Sequence, residues 1–348
     1  MYKLFIDFVQ TVLLRKEHLT IIPDEEQWKD LFKEAQRQGI IGVLVDGLER
    51  LPKEELSPQT LLLQWIGMLQ MIESRNQLVN ERCKKLQSLF EIAGFRCCIL
   101  KGQGNTLMYP NPLRRQSGDI DIWVMPTRIE RQKKGRRVAQ TVTFLATVCG
   151  KDRLNVVYHH TEFPIWDDVE VEVHWRPSWR SSLLYNKRML RWFLEKADQQ
   201  FSNKDAESGI IVPTWDFNVV YQLQHMFLHV LKEGIGLRQV IDYYYLLKSD
   251  NRVGYEDVSK TLRYLGLYEF AGAMMYVLKE SLAMDEQYLI VPLDERRGRF
   301  LYAEILLSGN FGQYDERNAD LQRKRGVRRS MAQLKRNGDS FETIQWKC

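Results

Sequence analysis

Residues 97–124 read CCILKGQGNTLMYPNPLRRQSGDIDIWV, and the fold turns on this stretch. It opens on an apolar run, Cys97-Cys98-Ile99-Leu100, with the length and composition of a short strand. Lys101 and two close glycines, Gly102 and Gly104, follow. It closes on Gly118-Asp119-Ile120-Asp121-Ile122-Trp123-Val124. There apolar residues alternate with two aspartates at the period of a half-buried strand. Residues i and i+2 of a strand share a face, so Asp119 and Asp121 sit side by side. Two carboxylates facing one way repel each other unless something positive lies between them. Hard oxygen donors so arranged suit Mg2+ or Mn2+.

Outward from this centre, Phe95 to Leu100 reads as one strand and Asp119 to Val124 as a second. Gly102 to Met108 reads as a turn and short helix, broken by Pro110 and Pro112. Pro126-Thr127 starts a helix that runs to Val148, strongly basic over 128–137. Two further strands are predicted at Leu154–Phe163 and Asp168–Trp175. In the last one Val169, Val171 and Val173 take one face, and Glu170, Glu172 and His174 take the other. A short strand over 209–212 ends the region.

Both flanks are helical. Helices are expected at about 1–17, 24–38 with Asp24 as cap, 40–50, and Pro58 to Ala93, the last stopping at Gly94. After Pro177 the pattern is helical nearly to the end. It includes Asp216–Leu231, Leu237–Leu247 and helices near 255–264, 267–282 and 297–307. The fold class is therefore α+β, a small mixed sheet flanked by helices. Three regions are expected: an N-terminal helical region over 1–93, an α/β core over 94–212, and a helical C-terminal domain with a basic tail over 213–348.

The chain has 348 residues, 44% of them hydrophobic, and a net charge of +5. That length supports one large or two modest cores. The mild positive excess suits a phosphate-bearing partner without requiring one. The five cysteines show no metal-type spacing, which points to a reducing compartment and a cytoplasmic protein. The N-terminal apolar residues are interrupted by Lys3, Asp7 and Gln10, unlike a secretion signal. No run approaches the ~20 apolar residues of a membrane span.

The strand, the Lys-Gly turn, the Asp-x-Asp strand and the later Glu strand together resemble the DNA polymerase β-like nucleotidyltransferase superfamily. The closest likeness is to a family of bacterial proteins known mostly as uncharacterised nucleotidyltransferases. Leu100-Lys101-Gly102, Tyr109-Pro110-x-Pro112, Arg115 with Asp119-Ile-Asp121, and Val171-Glu172-Val173-His174-Trp175 carry it. So do His225, His229 and Gly236-Leu237-Arg238-Gln239-x-x-Asp242 in the helical part. The resemblance implies that Asp119, Asp121 and Glu172 bind two Mg2+ (or Mn2+) ions, with Glu172 orienting or deprotonating an acceptor hydroxyl. It implies that Gly102, Gln103 and Gly104 shape the turn around the nucleotide phosphates, with Lys101 or Arg115 supplying charge near them; Arg238 is a candidate for substrate phosphate or for docking the helical domain, or else pairs with Asp242 at i, i+4. An NMP would pass from an NTP to a small molecule, a sugar, a protein or RNA, releasing pyrophosphate. Glu170 competes with Glu172 for the third carboxylate, and periodicity does not separate them.

Two departures bear on the phosphate geometry, and one of them, a gap from the turn to Asp119 longer than in the minimal enzymes, leaves room for an inserted acceptor-side loop. The superfamily usually has Gly-Ser or Gly-Gly in the turn, where this chain has Gly102-Gln103-Gly104. The alternative reading follows from it: a catalytically inactive nucleotide-binding or protein-interaction module, an antitoxin-like partner on the same fold. His225 and His229 share a helix face but lack a third metal ligand, so packing is the plainer reading. His159 and His160 are neighbours on a predicted strand, which would let only one face a given site. The basic stretches lack interleaved aromatics and read as solvated faces, so nucleic acid is not the favoured partner.

Overall fold

The computed structural model describes residues 1–127, 136–249 and 255–312. Twelve α-helices and four strands occur among them. In chain order they are α1 (Tyr2–Leu13), α2 (Glu25–Gln38), α3 (Ile41–Leu48), α4 (Gln59–Ile92), β1 (Phe95–Leu100), α5 (Gly102–Thr106) and β2 (Ile120–Pro126). Then come α6 (Arg136–Cys149), β3 (His160–Glu162), β4 (Val171–His174), α7 (Leu183–Gln200) and α8 (Trp215–Lys232). The chain continues with α9 (Leu237–Lys248), α10 (Tyr255–Leu265), α11 (Tyr268–Leu282) and α12 (Glu295–Ser308). The α+β expectation holds. No helix among the described residues is long and apolar enough to cross a membrane.

The chain forms two compact units. Residues 72–221 make one, and Met1–Met71 joins the described residues from Gln222 onward in the other. In the latter, helices from both ends of the sequence share a core. Gln10 Nε2 donates to the Glu280 carbonyl at 3.1 Å, and Arg37 Nη1 to the Leu307 carbonyl at 2.8 Å. Phe8 and Phe32 pack edge-on against Trp65. Asp24 caps α2 as expected: it accepts from Gln27 N at 2.8 Å, and Gln27 Oε1 accepts from Asp24 N in return.

The unit over 72–221 holds the sheet, in order β1-β2-β4-β3. β1 is antiparallel to β2, β2 parallel to β4, and β4 antiparallel to β3. The alternation read from the sequence sorts the two faces. Cys97, Ile99, Ile120, Ile122, Val124, Val171 and Val173 are buried in one core with Val79, Cys83, Leu86 and Phe90 of α4 and Leu145 of α6. The opposite face carries Asp121 and Trp123 of β2 beside Glu172 and His174 of β4. Trp123 anchors that face's apolar end, with its ring 4.6 Å from Phe201 and 5.9 Å from Phe217.

Three strand expectations were too long, and Asp168–Trp175 is strand only over Val171–His174. Of Leu154–Phe163 only His160–Glu162 is strand, with an isolated bridge from Val156 to Thr161. The predicted strand at 209–212 reduces to a bridge between Lys204 and Ile211. Ile211 still supplies its carbonyl to Ile99 N at 2.8 Å, which satisfies the outer edge of β1. Most of the basic stretch 128–137, the start of its helix and the basic tail lie outside the described residues.

Candidate active site

The parallel register of β2 and β4 sets Asp121 directly beside Glu172 and Trp123 beside His174. Neighbours in register on one face are the closest side-chain pairs a sheet offers. Asp119 precedes β2 by one residue, and Ile120 N donates to the Glu170 carbonyl at 2.9 Å to fix that end. Glu170 itself is exposed, whereas Glu172 is half-buried against His174. The geometry thus separates the two glutamates that periodicity left equal.

Lys101 comes out of β1 with a φ of 48°. A non-glycine residue held there costs roughly 1–3 kcal/mol and persists only where its surroundings demand it. Here the demand is visible: Lys101 Nζ meets Asp121 Oδ1 at 2.8 Å, with the lysine side chain 16% exposed. Gly102 follows at φ 29°; a Cβ there would lie 3.4 Å from the Asp119 carbonyl, and a Cβ at Gly104 3.1 Å from the Ile99 carbonyl. The turn therefore lies tight against the ends of both strands.

Gln103 does not reach toward the acids. Its Nε2 donates to Asn80 Oδ1 at 2.6 Å and to Asn76 Oδ1 at 3.3 Å, both on α4. Asn76 Nδ2 also holds the carbonyls of Leu113 and Arg115 at 2.7 and 2.6 Å. One buried asparagine thus ties the turn to the loop that leads into β2. Arg115 is buried, and Arg238 is buried in the other unit, close to Gly39.

His174 joins the carboxylates. Its Nε2 is 2.8 Å from Asp121 Oδ1 and 3.3 Å from Glu172 Oε2. Asp121, Glu172 and His174 bring one ligand atom each within 4.8 Å of one another; Asp119 lies outside that group. Sequence reasoning placed His174 in the family motif without giving it a site role, and it passed over Asn76 and Asn80. Strand parity already put His174 on the Glu172 face, so that signal was available. Nothing in sequence spacing marks the asparagines.

The charges are strongly coupled. Burial opposes ionisation of Asp121, but Lys101 and then His174 outweigh it and hold the carboxyl well below the usual range. Burial likewise opposes ionisation of Glu172, and the His174 contact still lowers it. Burial lowers His174, yet hydrogen bonds to Asp121 and Glu172 raise it overall. Burial lowers Lys101 too, and the charge of Asp121 more than reverses this. Asp119 differs: the charge of Asp121, then burial, push it up to about 6. Lys101 and His174 both stand against Asp121, while Asp119 carries the repulsion from that carboxylate.

The donor set fits a divalent ion. Carboxylate oxygens converge with one imidazole, and the raised Asp119 marks negative charge that a cation would relieve. A family model described as an uncharacterised nucleotidyltransferase matches residues 24–283. The chain belongs to that nucleotidyltransferase family. Nucleotidyl transfer from an NTP is therefore its general chemistry. No curated protein and no solved structure gives a significant match. His225 and His229 meet edge-on at 4.2 Å between ring centroids, and His229 Nδ1 pairs with Glu233 at 2.6 Å, a packed arrangement.

Proposed function

We propose that this nucleotidyltransferase is Mg2+-dependent, of the two-metal type, and moves an NMP from an NTP to an acceptor hydroxyl with release of pyrophosphate. The pairing of Asp121 with Glu172 on neighbouring parallel strands, next to Asp119, is the observation that carries the reading. Asp119, Asp121 and Glu172 would hold the ions, which supply charge stabilisation to the attacking and leaving oxygens. Glu172 stays ionised, so it suits accepting a hydrogen bond from the acceptor hydroxyl and aligning it. Lys101, fixed on Asp121, sets the orientation of that carboxylate. Gly102 and Gly104 would let the turn's backbone bring its N–H groups to phosphate, with Arg115 contributing positive charge. The superfamily relation to DNA polymerase β belongs to this proposal, as does a cytoplasmic setting. The free thiols of Cys83, Cys97, Cys98 and Cys149 support the latter.

The inactive binding module remains the second reading, and one observation favours it. Lys101 and His174 both sit on Asp121 Oδ1 and already neutralise it. Thermal stability with each of the four NTPs, with and without Mg2+, separates the outcomes. A ligand at about 100 times its dissociation constant adds about 2.7 kcal/mol. A shift that needs Mg2+ and is absent in Asp119→Ala/Asp121→Ala supports the metal-dependent reading. A shift without pyrophosphate release in any acceptor mixture supports the binding module. No shift with any nucleotide sinks the metal-dependent reading and the nucleotide-binding form of the second; it leaves the protein-interaction module, which co-purification of a stoichiometric partner tests.

A further inference from the structure

We propose that His159, His160 and His174 form a binding site for one transition-metal ion of the Zn2+ class, chemically separate from the carboxylates beside it. One ring nitrogen of each histidine lies within 4.8 Å of the other two. The ring centroids are 4.3 Å apart for His159 and His160, 5.0 Å for His160 and His174, and 5.9 Å for His159 and His174. The sequence expectation that only one of the two neighbours faces a site fails for a physical reason. His159 precedes β3 in a bend, outside the strand's alternation, so its ring turns to the side of His160.

Three imidazoles suit Zn2+, Co2+ or Ni2+ far better than Mg2+, which demands oxygen. In a tetrahedral zinc site with Zn–N near 2.0–2.1 Å, ligating nitrogens stand roughly 3.3 Å apart. A second observation points the same way. His174 directs Nε2 at Asp121 Oδ1, 2.8 Å away, while its buried Nδ1 has no hydrogen-bond partner among the described residues. Metal-ligating histidines are arranged this way: one nitrogen donates to a carboxylate, which fixes the ring, and the other offers its lone pair to the ion. His160 Nδ1 is likewise buried without a hydrogen-bond partner among the described residues, 3.6 Å from Glu172 Oε2. His159 and His160 are only half-buried, which leaves a fourth position open to water or a substrate oxygen. In this arrangement Asp121 is the orienting carboxylate of His174. The site does not depend on nucleotidyl transfer, since neither His159 nor His160 needs to touch nucleotide.

The test is Co2+ and Zn2+ binding to the full chain after removal of metal by chelator. Visible d–d bands of Co2+ report the ligand field, and elemental analysis reports stoichiometry. The expected result is one ion per chain, with affinity falling at least about tenfold in His159→Ala and in His160→Ala. Asp119→Ala, outside the histidine cluster, is expected to keep the bands. Absence of bands beyond those of aqueous Co2+ overturns the proposal. So does wild-type binding by both histidine variants, which would put the ion on Asp121, Glu172 and His174 instead. Should a variant not fold, imidazole 15N shifts of the wild-type protein on Zn2+ addition read the ligands directly. Three of the six histidines, His159, His160 and His174, must then show coordination shifts, and a different set refutes the assignment.

Discussion

Replacing Lys101 with methionine removes the ammonium and keeps most of the side-chain volume. The Nζ–Oδ1 separation of 2.8 Å corresponds to about 6 kcal/mol of gross attraction at an effective dielectric of about 20. Desolvation of both groups takes most of that back in the intact pair. Truncating one partner does not recover the cost for the other, and such changes lose about 3–5 kcal/mol. Asp121 retains His174, so the lower end, about 3 kcal/mol, is expected at pH 8. The loss must also depend on pH. Without Lys101 the Asp121 pKa rises, and a group whose folded pKa is raised takes up a proton in the folded state first. Stability of Lys101→Met relative to wild type should therefore recover as pH falls from about 8 to about 5. The assay is urea denaturation of both proteins across that range in chelator, with Asp121→Asn and the double variant completing a cycle. A coupling energy in the range of about 0.5–3 kcal/mol is expected between the two positions. A loss below about 1 kcal/mol that is flat with pH would falsify the view that this pair governs the site's charge.

Asp119→Asn should raise stability at pH 8 in chelator by about 1–3 kcal/mol, because its folded pKa of about 6 against an ordinary 3.8 means that ionisation is disfavoured by folding. The sign follows: the group's contribution is present below pH 4 and is lost as pH rises through 6, so the variant's advantage should vanish in acid; a denaturation series against pH reads it. Phe90→Ala should cost about 3–5 kcal/mol, since Phe90 is fully buried and meets Phe95 and Phe144 edge-on at 5.8 and 5.6 Å; a cost under 1 kcal/mol would mean that α4 is not pinned to the sheet there. Gly47→Ala places a Cβ 2.2 Å from Val12 Cγ2, so about 1–3 kcal/mol should be lost by melting, and Val12→Ala in the same chain should recover part of it.

The elements that sequence reading placed well are those whose pattern is set locally. β1 and β2 match because an apolar run in the first, alternation in the second and the Gly94 and Gly118 flanks define them without help from elsewhere. The faces of β4 match for the same reason: parity alone puts Glu172 and His174 together, away from the valines. The long strand expected over 154–163 failed because β-branched composition at Val156 and Val157 looks like strand, yet a strand needs a partner. β4 offers its register only to His160–Glu162. The helices at both ends were found, but an amphipathic stripe does not say which other stripe it meets. The shared core of the two ends had no local signature.

The charge balance of the site was the least legible feature, and physics gives the reason. A lysine at a strand end is ordinarily solvated, and nothing in Leu100-Lys101-Gly102 tells that Lys101 turns inward. What forces it is the register of two strands whose acids sit side by side. Once Asp121 is buried beside a half-buried Glu172, a cation must stand next to them, and the backbone accepts a φ of 48° to deliver one. The strain at Lys101, the inward His174 and the raised Asp119 are thus three consequences of one sheet register. A divalent ion bound at this face would compete for the same carboxylates. It would act against the Lys101 and His174 pairs, and it would draw Asp119 back toward its ordinary acidity.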